Sequence, residues 1–265
     1  MKDTNAIGSV DSLWRYPVKS MRGEELEEAF VGFSGIYGDR IFAIRNASAP
    51  KGFPYLTGRN QEKLLLYRPR FRHPERAVKP PNLTEAEKIG PGLTPVVADP
   101  SDLLVDVQTP AGEVLAVDDP ALLRLLGEHG EAANALTVFR SDRAMTDCRP
   151  VSLLAVQTAR QLAEEIGVDL DKRRFRANIY ADLESGSGFG EDGLVGQKLR
   201  IGTKVVLAVL ERDPRCKMIS IDPDTAELNP EIQANVSRAH DGKAGVYCAV
   251  LLEGTIRPGD PIELA

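Results

Sequence analysis

Along the first sixty residues apolar and polar positions alternate with a period of two and are interrupted by glycine. This pattern predicts short strands over "SVDSLWRYPVKS", "EELEEAFVGFSG", "DRIFAIRNA" and "FPYLTGRN". Trp14, Tyr16 and Val18, then Ile41, Phe42 and Ile44, are the aromatic and β-branched side chains that a pleated surface favours. Between residues 67 and 100 proline and charge displace the alternation, which predicts a long surface loop or an ordered excursion. A hairpin follows in "LLVDVQTPAGEVLAV", turning at Pro110, Ala111 and Gly112. Asp119 and Pro120 then offer an N-cap and a first-turn proline to a short helix over "ALLRLLGEH". A longer helix is predicted over 152–166, where Leu153, Val156, Ala159, Leu162, Ala163 and Ile166 share one side and Gly167 ends it. The rest alternates strand and turn signals: "RRFRANIYAD", a glycine-rich loop "ESGSGFGEDGLVG", then "QKLRIG", "KVVLAVLER" and "CKMISID", and a tail of further strands. Helices are few and strands many, so the expected class is α+β, mainly β, barrel-like rather than doubly wound.

Composition narrows the function without naming it. The apolar share of 42% and charged share of 27% are those of a globular protein, and no apolar run approaches the roughly 18 residues that span a bilayer. The N-terminal segment has neither a secretory h-region nor the Arg-rich character of a transit peptide, so the expectation is a cytoplasmic protein with no membrane partner. A net charge of −6 argues against general nucleic-acid binding, so any anionic ligand must be met by a local basic cluster. The three cysteines form no CxxC pair and the three histidines are dispersed, which predicts neither a disulfide framework nor a metal cage built from protein side chains.

One cysteine stands apart. In "RDPRCKMISIDPDT", Cys216 sits between Arg215 and Lys217, with Arg212 nearby, and basic neighbours favour the thiolate that acts as nucleophile or ligand. Taken blind, it is a small buried residue. Cys248 in "VYCAVLL" is expected in the core, and Cys148, beside Asp147, stays open. Two look-alikes are set aside. "GSGFGEDGLVGQK" lacks the spacing of a phosphate loop and reads as a turn before a strand, and "DPDTAE" lacks that of a calcium loop and reads as a hairpin turn held by Asp222.

Taken together, "LWRYPVKSMRGEEL", "GIYGDRIFAI", "RFRANI", "RCKMISIDPDT" and "GTIRPGDPIEL" resemble, in order, the signatures of a MOSC protein preceded by the family's N-terminal β-barrel domain. The resemblance implies a domain over 1–120 and a MOSC domain over 121–265. The relatives that it most resembles are the mitochondrial amidoxime-reducing component and its bacterial kin, which use a molybdenum cofactor to reduce N-hydroxylated or N-oxide compounds. By that resemblance Cys216 is the thiolate ligand of molybdenum, which cycles between Mo(VI) and Mo(IV), and Asp147 assists proton movement. Lys19, Ser20, Thr57, Arg59, Arg176, Asn178 and Arg215 would hold the pterin and its phosphate. Electrons would come from a separate donor protein. Two alternatives stand beside the reductase: a carrier of the sulfurated cofactor with Cys216 as a persulfide site, and a degenerate barrel serving only as an interaction module.

Overall fold

The computed structural model describes residues 6–89, 99–128 and 135–265. Its centre is a seven-stranded barrel. The strands are β1 (Ala6–Arg15), β10 (Val151–Ala155), β11 (Ile179–Leu183), β12 (Lys198–Ile201), β13 (Val205–Pro214), β14 (Lys243–Leu252) and β16 (Pro261–Leu264). They run in the order β11-β10-β14-β13-β12-β16-β1, and a β1 to β11 ladder closes the ring. All neighbours are antiparallel except β10 and β11. Closure removes free sheet edges, and the inward side chains of Val10, Leu13, Leu153, Ile179, Leu199, Leu207, Val246 and Ile262 fill the interior. Cys248 lies among them, and burial pushes its thiol up to about 12, as its apolar strand predicted.

A second core is built mostly from the earlier residues. Strand β5 (Phe42–Asn46) pairs with β9 (Leu136–Arg140), while β6 (Arg68–Phe71), β7 (Val105–Gln108) and β8 (Val114–Ala116) form a small antiparallel sheet. Val18, Ile44, Leu56, Leu64, Tyr67, Val107, Leu122 and Leu126 pack between these layers and helix α2 (Pro120–Gly127). The remaining short strands are β2 (Glu24–Leu26), on the outer edge of β1, and β3 (Ala29–Gly32), β4 (Gly35–Ile36) and β15 (Gly254–Ile256), which make a sheet of their own. The chain therefore crosses between cores twice: β1 from the first 120 residues completes the barrel, and β9 from beyond them completes the other unit.

The expected hairpin is β7 and β8, and the Asp119 carboxylate caps α2 by accepting from the Ala121 amide at 2.8 Å. Helix α1 (Leu83–Ile89) and β6 make the described part of the 67–100 stretch an ordered excursion; 90–98 lie outside the described residues, as does His129 at the end of the predicted short helix.

Three local expectations need correction. The segment predicted as helix from 152 is the strand β10 up to Ala155, and α3 (Val156–Ile166) begins only afterwards. All five β10 side chains are buried, and a short continuous apolar run reads alike in either state. The buried Glu191 carboxylate marks the switch, accepting from the Ala155 amide at 3.3 Å and from Thr158 Oγ1 at 2.8 Å. Gly167 ends α3 at φ 67°, as expected. "CKMISID" is not a strand either. Pro214 closes the β13 ladder, having no N–H to continue it, and Lys217–Ser220 turn into a 3-10 helix. "FPYLTGRN" contributes only a bridge between Tyr55 and Arg45 before turning at Thr57.

Helix α4 (Pro230–Ala239) packs with α3 on the outside of the barrel over Leu154, Phe175, Tyr180 and Ile219. Asp222 accepts from the amides of Asp224 and Thr225 at 2.8 and 2.9 Å, which makes the hairpin turn that "DPDTAE" predicted.

Candidate active site

At the barrel end where β1 and β13 leave and β10 and β11 enter, the two cores leave a cleft open to solvent. Its lining joins residues far apart in sequence: Lys19, Ser20, Arg40, Thr57 and Arg59 on one wall, and Asp147, Arg174, Arg176, Asp213, Arg215, Cys216 and Tyr247 on the other.

The first wall begins where β1 ends. The Tyr16 amide donates to the buried Asp39 carboxylate at 2.8 Å, and the Arg40 amide donates to the Tyr16 carbonyl at 2.7 Å, which ties the two loops together. The pair read as stabilising the barrel is thus also a site element, because Arg40 lines the cleft while its guanidinium pairs with Asp39 and donates to the Arg176 carbonyl at 3.0 Å. Lys19 is 7% exposed, donates to the Met145 carbonyl at 2.8 Å and bonds Asp147. Burial pulls the Lys19 ammonium below its ordinary value, with Arg40 and Arg176 acting in the same sense against Asp147. Partial desolvation inside the cleft opposes ionisation of the more exposed Asp147, but Lys19, Arg40 and Arg59 prevail and hold its carboxyl below the usual range. Arg59 is exposed at the rim, over the ring of Phe53.

The second wall is made by strand ends. Arg176 caps the 3-10 helix Lys172–Phe175 in a left-handed conformation, φ 53°. Its guanidinium lies 4.2 Å from the Tyr16 ring centroid, and Arg40 lies 4.5 Å from the same centroid. Arg176 Nη2 is enclosed without a hydrogen-bond partner, and burial lowers the guanidinium to about 10. Ser20, at φ 65°, Arg40, at 47°, and Arg176 all adopt the left-handed region without being glycine, a cost of about 1–3 kcal/mol each that functional sites tolerate.

Cys216 opens the turn after β13, half-buried, with its backbone at φ −123° and ψ −176°. Arg215 beside it is wired on three sides: Nε to the Ala244 carbonyl at 2.7 Å, Nη1 to the Phe175 carbonyl at 2.8 Å, and Nη2 to Asp213 at 2.8 Å. The other basic neighbours turn away. Arg212 pairs with Asp192 at 2.8 Å, and Lys217 bonds Glu62 and the Arg59 carbonyl.

Residues 140–263 match the MOSC domain, and residues 7–90 match the MOSC N-terminal beta barrel domain. The chain carries both parts of a MOSC protein. It is similar over 97% of its length to mitochondrial amidoxime reducing component 2 of Bos taurus, at 25% identity and covering 83% of that protein. Among solved structures it aligns with the YUAD protein of Bacillus subtilis at 13% identity and a TM-score of 0.48, covering 97% of this chain and 94% of that one. YiiM of Geobacillus stearothermophilus aligns at 23% identity and a TM-score of 0.35, over 44% of this chain and 54% of its own.

In this MOSC chain the cleft gathers every residue expected in a site except one. Asn178 is 1% exposed and does not line it: its Oδ1 accepts from the Ser152 amide and hydroxyl at 3.2 and 3.3 Å, and its Nδ2 donates to the Trp14 carbonyl at 3.3 Å. Asn178 therefore holds β1 against β10 behind the cleft. Arg215, with three nitrogens engaged by protein, props the wall beside Cys216. Sequence reasoning missed Arg149, Arg174, Asp213 and Tyr247. For Asp213 a signal existed: a carboxylate closing the strand "KVVLAVLERDP" at a buried position has to meet either a partner or a function.

Proposed function

We propose that this MOSC chain is a molybdenum-cofactor-binding oxidoreductase of the cytoplasm that reduces N-hydroxylated or N-oxide compounds, taking electrons from a separate donor protein. The observation that carries the reading is a free thiol sharing one open cleft with an unpartnered, enclosed arginine nitrogen and a concentration of cations in a chain of net charge −6. Among the described residues no three or more His, Cys, Asp and Glu side chains gather as a cation cage, so a metal here would arrive with ligands of its own. The donor set fits a cofactor with that property. Cys216 supplies a soft thiolate, Arg176 and Arg59 supply planar forks for phosphate or pterin edges, Lys19 supplies a point charge, and Ser20 and Thr57 supply hydroxyls. When bound, the molybdenum cofactor supplies the two-electron redox change. The chain's own residues orient it, neutralise its phosphate and leave Asp147 facing solvent beside Lys19.

The test is molybdenum and pterin analysis of the wild type beside Cys216→Ala, both produced in a host that makes the cofactor, with turnover of an aromatic amidoxime by reduced methyl viologen measured in parallel. The wild type is expected to hold molybdenum and turn over, and the variant to lose turnover by at least about a thousandfold, since only the thiolate is a competent ligand. Equal, negligible molybdenum in both proteins would sink the reading. Molybdenum retained without any reduction would favour the carrier alternative.

A further inference from the structure

Two carboxylates line the cleft, and their surroundings are opposite. Asp147 is 56% exposed on its side chain and lies against Lys19. Asp213 is 2% exposed at the end of β13, with Arg215 Nη2 at 2.8 Å and the Tyr247 hydroxyl of neighbouring β14 bonded to it. Resting on the reductase reading above, we propose that Asp213, and not Asp147, is the proton donor of the cleft, delivering a proton to the oxygen that leaves the substrate.

A buried carboxylate in a cleft suited to anions is costly when ionised and useful when protonated, because it then presents an O–H to whatever occupies the space. The groups that face Asp213 are Arg215 on its own segment, Tyr247 on β14, Arg40 on the opposite loop, and Asp147. Burial pushes its carboxyl up to about 6. Arg215, the Tyr247 hydroxyl and Arg40 pull it back, and Asp147 adds to the rise. The Lys19 partnership instead keeps Asp147 ionised, with no proton to give. Two acids whose environments separate them in this way divide into donor and acceptor roles.

The N–O bond of the N-hydroxylated compound breaks and the nitrogen is reduced by two electrons from an external one-electron reductant. The hydroxyl oxygen departs as water after taking one proton, from Asp213, and the nitrogen takes the second proton, from solvent. Asp213 regains its proton from solvent through the open cleft.

Three measurements on the full chain decide it. In cofactor-free protein, ¹³C carboxyl NMR should show an aspartate titrating near 6 that disappears in Asp213→Asn. With an aromatic amidoxime and reduced methyl viologen, the wild-type kcat should fall as pH rises through that limb. Asp213→Asn should lower kcat about a hundredfold, as loss of a general acid does, abolish the limb, and leave KM and molybdenum content unchanged. Tyr247→Phe removes a hydrogen bond that favours the ionised form, so it should move both the NMR titration and the kinetic limb to higher pH. The donor role is overturned if Asp213→Asn keeps wild-type kcat and profile, if its kcat falls only in proportion to lost molybdenum, or if the carboxyl titrates in the ordinary range. A wild type that holds molybdenum but never turns over overturns the reductase reading, and the donor role with it. An active Asp213→Asn overturns the donor role alone.

Discussion

The two walls of the cleft are held by different physics. The wall from the first part of the chain consists of loops laced by charge: Lys19 to Asp147, Arg40 to Asp39, and the Arg59 loop to Lys217. The barrel wall consists of strand ends whose positions follow from a closed ladder and a filled interior, with Arg215 bonded to two carbonyls of that wall. The partly exposed Lys217 contact on the loop wall weakens with salt, whereas the packing of the strand ends does not depend on it. Cys216 follows directly on a barrel strand, and Lys19, Arg40 and Arg59 sit on the loops.

The largest break in this contrast should come from Gly245. It sits in β14 at φ 80°, and a Cβ there would meet the Leu153 carbonyl at 2.8 Å and Arg215 Nη2 at 3.0 Å. Gly245→Ala is expected to cost roughly 2–5 kcal/mol, combining a left-handed non-glycine residue with overpacking, and to displace Arg215. Urea denaturation would measure it, and a cost under about 1 kcal/mol would show that the barrel wall is softer than its packing implies.

The next effect is pH-dependent and belongs to Asp213. Its folded value, about 6, lies above its ordinary 3.8, so the folded state binds the extra proton and the wild type loses stability as pH rises through that window. Asp213→Asn lacks this loss. Relative to the wild type it should gain up to about 3 kcal/mol between pH 4 and pH 8, from the size of the shift at 1.36 kcal/mol per unit. Parallel stability curves across that range would remove the buried-acid assignment. The smallest effect is expected on the loop wall. Lys217→Met removes a partly exposed bond to Glu62, costing about 1 kcal/mol or less and disappearing at high salt. A larger, salt-independent loss would mean that this wall is packed as tightly as the barrel.

These outcomes bear on what could be read in advance. The hairpin at 105–116, the capped α2 and the end of α3 at Gly167 were legible because each depends on near neighbours: alternation, an N-cap with proline, and a residue free to adopt positive φ. The strand β10 was not, because its ladder partners lie at 179–183 and 243–252 and its two faces are covered by the barrel interior and by α3 and α4. The 3-10 turn after Cys216 was missed for a related reason. Its apolar run suits a strand, but Pro214 ends the ladder that a strand would need.

The site divides in the same way. Residue types and motif order were sufficient to single out Cys216, Lys19, Ser20, Thr57, Arg59, Asp147, Arg176 and Arg215, and all of them line one cleft. Motif membership alone could not distinguish Asn178, which braces β1 against β10, from Arg176 two residues before it, whose Nη2 is left unpartnered. Nor could it give Asp213 and Asp147 different roles, since both are aspartates near a basic residue in the sequence. The difference between them is one of solvent and neighbours: Asp213 is enclosed beside Tyr247, and Asp147 is exposed beside Lys19. Sequence by itself determined which side chains and which local turns were available. Burial, charge neighbourhood and the direction in which each group faces were decided only when β1 closed the barrel and brought the two walls together, because those quantities depend on contacts across the fold, several of them between residues more than a hundred positions apart.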